Sequence, residues 1–243
     1  MNVGETTRTT EELGARRLAR ATGLLFVVLL VFGMLTALTL DAVLVPGDAT
    51  VTASNVLGSR WLFVAGLVGW VPLVCADVAV AVTFHALLKA AGPLLSPLTA
   101  AFRLVYAATL VALVPQLFTA YRLLTDSGPA SEAGRAGREA QALAGLESFD
   151  VGFQFALVFF GVHLVLLGVL LRRSGHVPAV LAGLVVAAGA GYLVHNLAGL
   201  LVDLPAPLSA VLLTPSLVGE VGMMIWLLVK GVRVPTTAPA PLK

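Results

Sequence analysis

The chain has 243 residues, of which 58% are hydrophobic and 12% charged, and its mean hydropathy is +0.97. A soluble domain carries about a quarter charged residues, so this chain has too little charge to cover a globular surface in water. The net charge of +2 is too small to favour nucleic acid as a partner. The only cysteine, Cys75, excludes an internal disulfide and a cysteine-based zinc site. We therefore expect an integral membrane protein whose partner is the lipid bilayer.

Six apolar segments are each long enough to cross about 30 Å of hydrocarbon, which takes about 20 residues. Backbone amides in lipid must be hydrogen-bonded within the protein, and these segments are too long for barrel strands, so we expect an all-α helical bundle. The first segment exceeds the core of about 7–15 residues that is typical of a signal peptide, and we expect it to be retained. The predicted spans are 21–40, 61–90, 98–124, 149–171, 178–202 and 209–232.

The segments between the spans differ in character. "AGPLLSP" and "RRSGHVP" are short and contain turn-forming residues, so they predict tight helical hairpins. Residues 125–148 are polar and rich in alanine and glycine, which predicts an outer loop with a short interfacial helix. Residues 21–232 are thus expected to form one transmembrane domain between two terminal tails, 1–20 and 233–243.

The distribution of basic residues predicts the orientation of the spans, because cytoplasmic loops carry an excess of lysine and arginine. With six crossings, most basic residues fall on one side and most acidic residues on the other. Both termini are therefore predicted to be cytoplasmic, in the plasma membrane. The basic side holds Arg8, Arg16, Arg17, Arg20, Lys89, Arg172, Arg173, Lys230, Arg233 and Lys243, and the acidic side holds Asp41, Asp48, Asp126, Glu132, Glu139, Glu147, Asp150 and Asp203.

Two stretches near the carboxyl end carry a recognisable pattern. Residues 159–194 read FFGVHLVLLGVLLRRSGHVPAVLAGLVVAAGAGYLV, and residues 219–233 read GEVGMMIWLLVKGVR. The chain resembles a bacterial integral membrane family known as domain of unknown function 4386. In this resemblance "AAFRLVYAA" also fits, with Arg103 at the family's arginine, whereas His85 stands where we expect tyrosine. The resemblance implies a multi-pass membrane protein of unsettled function and supplies no substrate, cofactor or catalytic residue.

Four ionisable residues inside the spans form a candidate polar site: Asp77, His163, His195 and Glu220. A charged side chain at mid-bilayer costs roughly 2.5–3.5 kcal/mol on insertion scales, so such residues usually face the protein interior. Counting about 1.5 Å per residue places His195 and Glu220 in one outer layer, where they could form a hydrogen bond or a proton or cation site. The same count places Asp77 and His163 together near mid-membrane.

Asp77 is the strongest functional candidate, and a structural hydrogen bond to a helix backbone or to His163 is the alternative. The helical wheel rotates His163 well over 100° away from Gly161 and Gly168, so the histidine is expected to lie off the small-residue packing face of its helix. Its role stays open between a structural histidine and a functional one.

A third group lies near the predicted cytoplasmic surface. His85 and Lys89 are one helical turn apart, and long basic side chains at such positions reach toward lipid phosphates. The alternative is a specific site for an anionic lipid or a substrate phosphate. The candidate headgroup or phosphate contacts are His85, Lys89, Arg103, Arg172 and Arg173.

Recognisable catalytic signatures are missing from the sequence: it has no HExxH, no G-x-S-x-G, no Walker loop and no dinucleotide fingerprint. The histidine and acidic residues are too scattered to predict a metal site, and we expect no cofactor. Three hypotheses remain, in this order: a small-solute or proton-coupled permease or sensor, a non-catalytic scaffold or accessory subunit, and a membrane-embedded enzyme that acts on lipid. The third requires at least three of the four candidate polar residues to converge.

Overall fold

The structure is a computed structural model that describes residues 3–126, 132–202 and 204–231, with residues 3–12 and 132 described by their backbone alone. The described residues form seven α-helices and one short 3-10 helix, Lys89–Ala91, and contain no strand. The α-helices are α1 (Val3–Val43), α2 (Ala49–Gly58), α3 (Arg60–Leu88), α4 (Leu95–Thr125), α5 (Glu132–Ser174), α6 (Ala179–Gly199) and α7 (Ala206–Val229).

All of these helices except α2 are long and apolar enough to cross a membrane. The predicted all-α bundle of six transmembrane helices is therefore confirmed, and the protein is a multi-pass membrane protein. Large apolar side chains lie on the outside of the bundle, such as Leu24, which is 61% exposed, and Val68, which is 58% exposed. Hydrocarbon tails solvate such side chains as well as a protein core does, so this surface suits the interior of a bilayer.

The six long helices pack in a closed ring. Each contacts the next in the order α1, α3, α4, α5, α6 and α7, and α7 returns to contact α1. The contact between α7 and α1 is the least extensive of the six. This ring surrounds two of the polar residues that the sequence singles out, Asp77 and His163, which are almost fully buried.

Glycines let the later helices approach closely. A Cβ atom added to Gly189 of α6 would lie 2.6 Å from the carbonyl oxygen of Gly161 in α5, and one added to Gly168 would lie 2.8 Å from the carbonyl oxygen of Ala182. A side chain at Gly191 would overlap the carbonyl oxygen of Leu212 in α7. Small residues thus allow backbones to meet where larger side chains would hold the helices apart. The face of α5 with Gly161 and Gly168 contacts α6; the sequence predicted that this face packs but named no partner helix.

Both short turns occur as the sequence predicts. Residues 175–178 join α5 to α6, and Gly175 has a φ of +65°, a left-handed conformation that favours glycine. Pro178 is the N-cap of α6, where its missing N–H costs no helical hydrogen bond. At the other turn, a Cβ atom on Gly92 would lie 2.9 Å from Leu170 near the end of α5. The two turns therefore lie at the same end of the bundle.

The region outside the spans contains more helix than we expected. The short interfacial helix predicted within the outer loop 125–148 is wrong in its extent: residues 132–148 begin α5 and continue into its membrane segment without a break. Alanine, glutamate and arginine favour helix strongly, and Ala142, Leu146 and Phe149 bury one face of this extension. Residues 127–131 of the predicted loop lie outside the described residues.

Helix α2 is absent from the sequence prediction. Its N-cap is Asp48, whose side chain accepts a hydrogen bond of 2.9 Å from the backbone N–H of Val51. Thr52 of α2 bonds the backbone of Val45, and Gly47 donates its N–H to Glu147 of α5 at 2.9 Å. The aspartate before a short apolar stretch is a recognised helix-start signal, and it could have revealed this helix.

The two ends of the bundle differ in the sign of the charged residues that they carry, as the sequence suggests. Arg172 and Arg173 are exposed at the end of α5, on the side of the two short turns that also carries exposed Lys89. Glu139 and Glu147 lie in the extension of α5 at the opposite end, near α2. The side chains of Arg8 and Glu132, and all of Asp203, Arg233, Lys243 and the tail 233–243, lie outside the described residues.

Candidate functional site

Arg103 of α4 is the centre of a buried polar network. Its Nη2 atom donates to Oδ1 of Asp77 in α3 at 2.5 Å, which makes an ion pair, and its Nη1 atom lies 3.2 Å from Nε2 of His163 in α5. Only 1% of Arg103, 2% of Asp77 and none of His163 is exposed. The sequence left open whether Asp77 and His163 meet, and the structure joins them through the arginine that lies between them.

The hydrogen bonds of His163 fix its protonation state. Arginine N–H groups only donate, so Nε2 of His163 accepts from Arg103. The other ring nitrogen, Nδ1, lies 2.8 Å from the backbone carbonyl oxygen of Thr99, which only accepts, so Nδ1 carries the proton. His163 is thus a neutral histidine with both nitrogens satisfied, and it ties α5 to one turn of α4.

Aromatic rings cover the guanidinium group of Arg103. Its central carbon lies 5.2 Å from the ring centre of Phe160 and 5.8 Å from that of Phe26. Phe160 also packs against Tyr106 and edge-on against Tyr192, at 5.0 and 5.4 Å between ring centres. The electron-rich ring faces favour a cation beside them and compensate part of the hydration that Arg103 loses.

A cavity of about 280 Å³ adjoins this network. Its lining carries two carboxyl groups, from Asp77 and Glu220, and one guanidinium group, from Arg103. The other walls are aliphatic or aromatic, apart from Thr36 of α1 and the hydroxyl groups of the two tyrosines. The aromatic lining is Trp70, Tyr106, Phe149, Phe153, Phe160 and Tyr192, which come from α3, α4, α5 and α6. We call this space the Arg103 cavity.

Glu220 of α7 contributes a carboxylate that is less tightly held than that of Asp77. One of its oxygens accepts a hydrogen bond of 3.2 Å from the hydroxyl group of Tyr192 in α6. The side chain is only partly buried, and within the part of the chain that the structure describes it has no ion-pair partner. Glu220 also lines a second, smaller crevice of about 190 Å³ between α1 and α7.

Comparison with known proteins identifies the family of the chain. The family model described as "Domain of unknown function (DUF4386)" matches residues 21–231, which is most of the chain. The chain belongs to the DUF4386 family. The resemblance seen in the sequence is thus confirmed. An uncharacterized protein from Archaeoglobus fulgidus is 28% identical over 181 residues, which cover 72% of this chain and 89% of that protein. No solved structure matches the chain.

The DUF4386 match includes every residue of the Arg103 network and of its cavity. The placement of Arg103 corrects our grouping of this residue with the headgroup contacts. Counting the rise along the backbone locates the Cα atom of an arginine, whereas its charge sits at the end of a long flexible side chain. An acid on another span was the signal that could have revealed the pair, since intramembrane charges pair with one another.

The expected hydrogen bond between His195 and Glu220 does not occur. Glu220 bonds Tyr192 instead, which lies one turn before His195 on α6. Nδ1 of His195 is buried and has no hydrogen-bond partner among the described residues. Depth alone suggested this pair, but two residues at the same depth meet only when their helices also present them to each other.

The remaining basic candidates lie at the end of the bundle with the short turns. Lys89, Arg172 and Arg173 are exposed there. His85 is partly buried, and its Nδ1 lies 3.0 Å from the hydroxyl oxygen of Ser96 at the start of α4. A headgroup or phosphate contact for these four residues stays a prediction.

The four candidate polar residues do not all converge, as the hypothesis of an enzyme would favour. Asp77 and His163 share Arg103, Glu220 reaches the same cavity as Asp77, and His195 joins none of them. Among residues 3–126, 132–202 and 204–231, no three histidine, cysteine or acidic side chains are grouped so that they could hold a metal ion.

Proposed function

We propose that the protein is a permease or a sensor that binds a small amphipathic solute in the Arg103 cavity. One observation carries the proposal: an ion pair and a second carboxylate line a cavity whose remaining walls are mostly aromatic and aliphatic. Ligand sites typically combine an apolar lining with a few placed polar groups. The volume of about 280 Å³ exceeds the roughly 150 Å³ of a cavity that accepts benzene.

Energetics also support a role beyond structure for these charges. A buried ion pair adds little stability, because the cost of removing two charges from water offsets most of their attraction. Ionisable residues inside membrane proteins are rare and mark ligand or ion pathways by default. Asp77, Arg103 and Glu220 line a single space, which is the arrangement that such a role requires.

A non-catalytic scaffold or accessory subunit is the second candidate, and a different observation favours it. His163 is fully buried and has both ring nitrogens bonded, and Asp77 is paired with Arg103. A network of this kind can hold α3, α4 and α5 together without any ligand, although Nε of Arg103 has no hydrogen-bond partner among the described residues. The membrane-embedded enzyme is the weakest candidate, since two of its four polar residues, Asp77 and Glu220, line the described cavity and it requires three.

Binding by the full chain in lipid nanodiscs tests the proposal. The probes are radiolabelled benzyl alcohol, benzoate and benzyltrimethylammonium, which share a phenyl ring and differ in charge. We expect saturable binding of at least one probe. Leu157→Trp, which fills the cavity, should abolish it, while the matched control Val194→Trp on the outer face of α6 should not.

The same experiment can overturn the proposal. If no probe binds saturably, or if binding is indifferent to Leu157→Trp, the cavity is not a ligand site and the scaffold is the better account. Flux of the bound probe into proteoliposomes would assign a permease, and binding without flux would assign a sensor.

We also propose that both termini are cytoplasmic and that the protein resides in the plasma membrane, as the distribution of basic residues indicates. Gly14 and Gly58 both have room for a side chain, so each can carry a cysteine in a Cys75→Ser background. In intact cells, a membrane-impermeant maleimide should label Gly58→Cys at once and Gly14→Cys only after permeabilisation. The reverse pattern would invert the topology.

A further inference from the structure

We infer that the ligand of the Arg103 cavity is a small lipophilic organic cation that enters from the bilayer between α1 and α7 and pairs with Glu220. This inference rests on the proposed function and names the chemical class of its ligand. It combines the charge of the lining, the aromatic walls and the position of the second crevice.

The charges of the lining leave one carboxylate without a balancing cation. The cavity is lined by two acids, Asp77 and Glu220, and by one base, Arg103. Arg103 is committed to Asp77 by an ion pair of 2.5 Å. Among the described residues, Glu220 accepts one hydrogen bond, from the neutral hydroxyl group of Tyr192, and forms no ion pair. A ligand with one positive charge would complete the balance, whereas an anion would meet an uncompensated carboxylate in a poorly hydrated space.

The walls of the cavity are suited to a cation that carries hydrocarbon groups. Six aromatic side chains line the space. Aromatic faces attract quaternary and other organic ammonium groups, and the attraction increases where water is excluded. Arg103 already uses the ring of Phe160, while Trp70, Phe149 and Phe153 form a separate cluster with ring centres 5.2 to 6.0 Å apart. That cluster lines the part of the cavity where the apolar part of a ligand would lie.

The second crevice provides a route from the lipid. It lies between α1 and α7, which form the least extensive contact in the ring of helices. Its lining includes Leu30 and Met34, which are 38% and 57% exposed on the outside of the bundle. Leu29, Gly33 and Glu220 line both the crevice and the Arg103 cavity. Glu220 therefore stands where a molecule dissolved in the bilayer would first meet a charge.

Gly33 keeps this route open. A Cβ atom added there would meet only Leu73 at 3.9 Å, which is ordinary van der Waals distance. The missing side chain therefore leaves space between the two volumes and is not required by close backbone packing. A larger residue at this position would narrow the route.

A pair of isosteric probes tests the preference for a cation. Benzyltrimethylammonium and 2,2-dimethylpropylbenzene have the same shape and differ only in the replacement of nitrogen by carbon. We expect the full chain in nanodiscs to bind the cation at least tenfold more tightly than the neutral isostere. Equal affinity, or tighter binding of benzoate than of the cation, would overturn the inference.

Glu220→Gln tests whether Glu220 causes the preference for the cation over its neutral isostere. This variant should lose at least tenfold in affinity for the cation while it binds the neutral isostere as the parent does. Glu147→Gln, in the part of α5 outside the cavity, is the matched control and should leave both affinities unchanged. Retention of the full cation preference in Glu220→Gln would overturn the role of Glu220.

Gly33→Leu tests the lateral route by kinetics. We expect the association rate of the cation to fall at least tenfold, whereas Gly183→Leu, at a glycine with open space on α6, should leave it unchanged. An unchanged rate in Gly33→Leu would exclude entry between α1 and α7. Both outcomes differ from failure of the proposed function itself, in which no probe binds in a manner that Leu157→Trp abolishes.

Discussion

Asp77 and Glu220 are two acids on the wall of one cavity, and their surroundings differ sharply. Asp77 is 2% exposed and is paired with Arg103, which also bonds a fully buried His163. Glu220 is partly buried, bonds one tyrosine hydroxyl group and reaches a crevice that extends to the outside of the bundle. The first acid is held by an ion pair within the fold, and in our proposal the second pairs with the ligand. Two acids inside membrane spans can therefore differ in how tightly the fold holds them.

Asp77→Leu should have the largest effect on stability. The variant leaves the charge of Arg103 buried and unpaired, and breaking a buried pair in this way costs about 3–5 kcal/mol. We expect this loss in the free energy of unfolding, measured by titration with denaturing detergent in mixed micelles. A loss below about 1 kcal/mol would show that Asp77 is not committed to the fold.

Replacing both Asp77 and Arg103 tests whether the cost of Asp77→Leu comes from the unpaired charge of Arg103. Asp77→Leu combined with Arg103→Met removes both charges, and apolar replacement of a whole buried pair is often neutral or stabilising. We expect the double variant to recover more than half of the stability that Asp77→Leu loses. Destabilisation equal to the sum of the two single variants would mean that the two residues act independently.

His163→Leu should have an intermediate effect. It removes the acceptor of Arg103 Nη1 and the donor to the Thr99 carbonyl group, and each buried polar group without a partner costs about 1–3 kcal/mol. The measurement is again the free energy of unfolding. The cation affinity should stay within twofold of the parent, because His163 does not line the cavity. A tenfold loss of affinity without loss of stability would show that His163 acts in ligand binding and does not stabilise the fold.

Glu220→Gln should change stability least, by under about 1 kcal/mol. Glutamine has the same shape, keeps an oxygen that accepts from Tyr192, and occupies a partly exposed position. Its effect should appear in ligand binding instead. Destabilisation as large as that of Asp77→Leu would show that Glu220 contributes as much to the stability of the fold as Asp77 does.

Much of the architecture could be predicted from residues close together in sequence. The length of each apolar run fixes a membrane helix, and Gly175 with Pro178 fixes a tight turn. The helical wheel separates His163 from the glycine face of α5, and the structure places Gly161 against α6 and His163 against α4. These features depend on helical periodicity, which a single segment carries within itself.

The pairing across the bundle could not be predicted in this way. Depth counting suggested that His195 meets Glu220 and that Arg103 lies among lipid phosphates, and neither occurs. Depth is one coordinate of three, and the other two depend on how the helices are ordered and rotated. The extension of α5 was missed for a related reason: Leu146 and Phe149 bury a face against neighbouring elements that the local sequence does not identify.

The sequence by itself determined that this is a six-helix membrane protein and which ionisable residues must avoid lipid, because hydrophobic length and the cost of intramembrane charge are local properties. Only the tertiary structure decided that Arg103 joins Asp77 to His163. It also decided that Glu220 lies outside this network, at the crevice between α1 and α7. Closing the helices into a ring sets those partners, and that closure arises from contacts among residues distant in the chain.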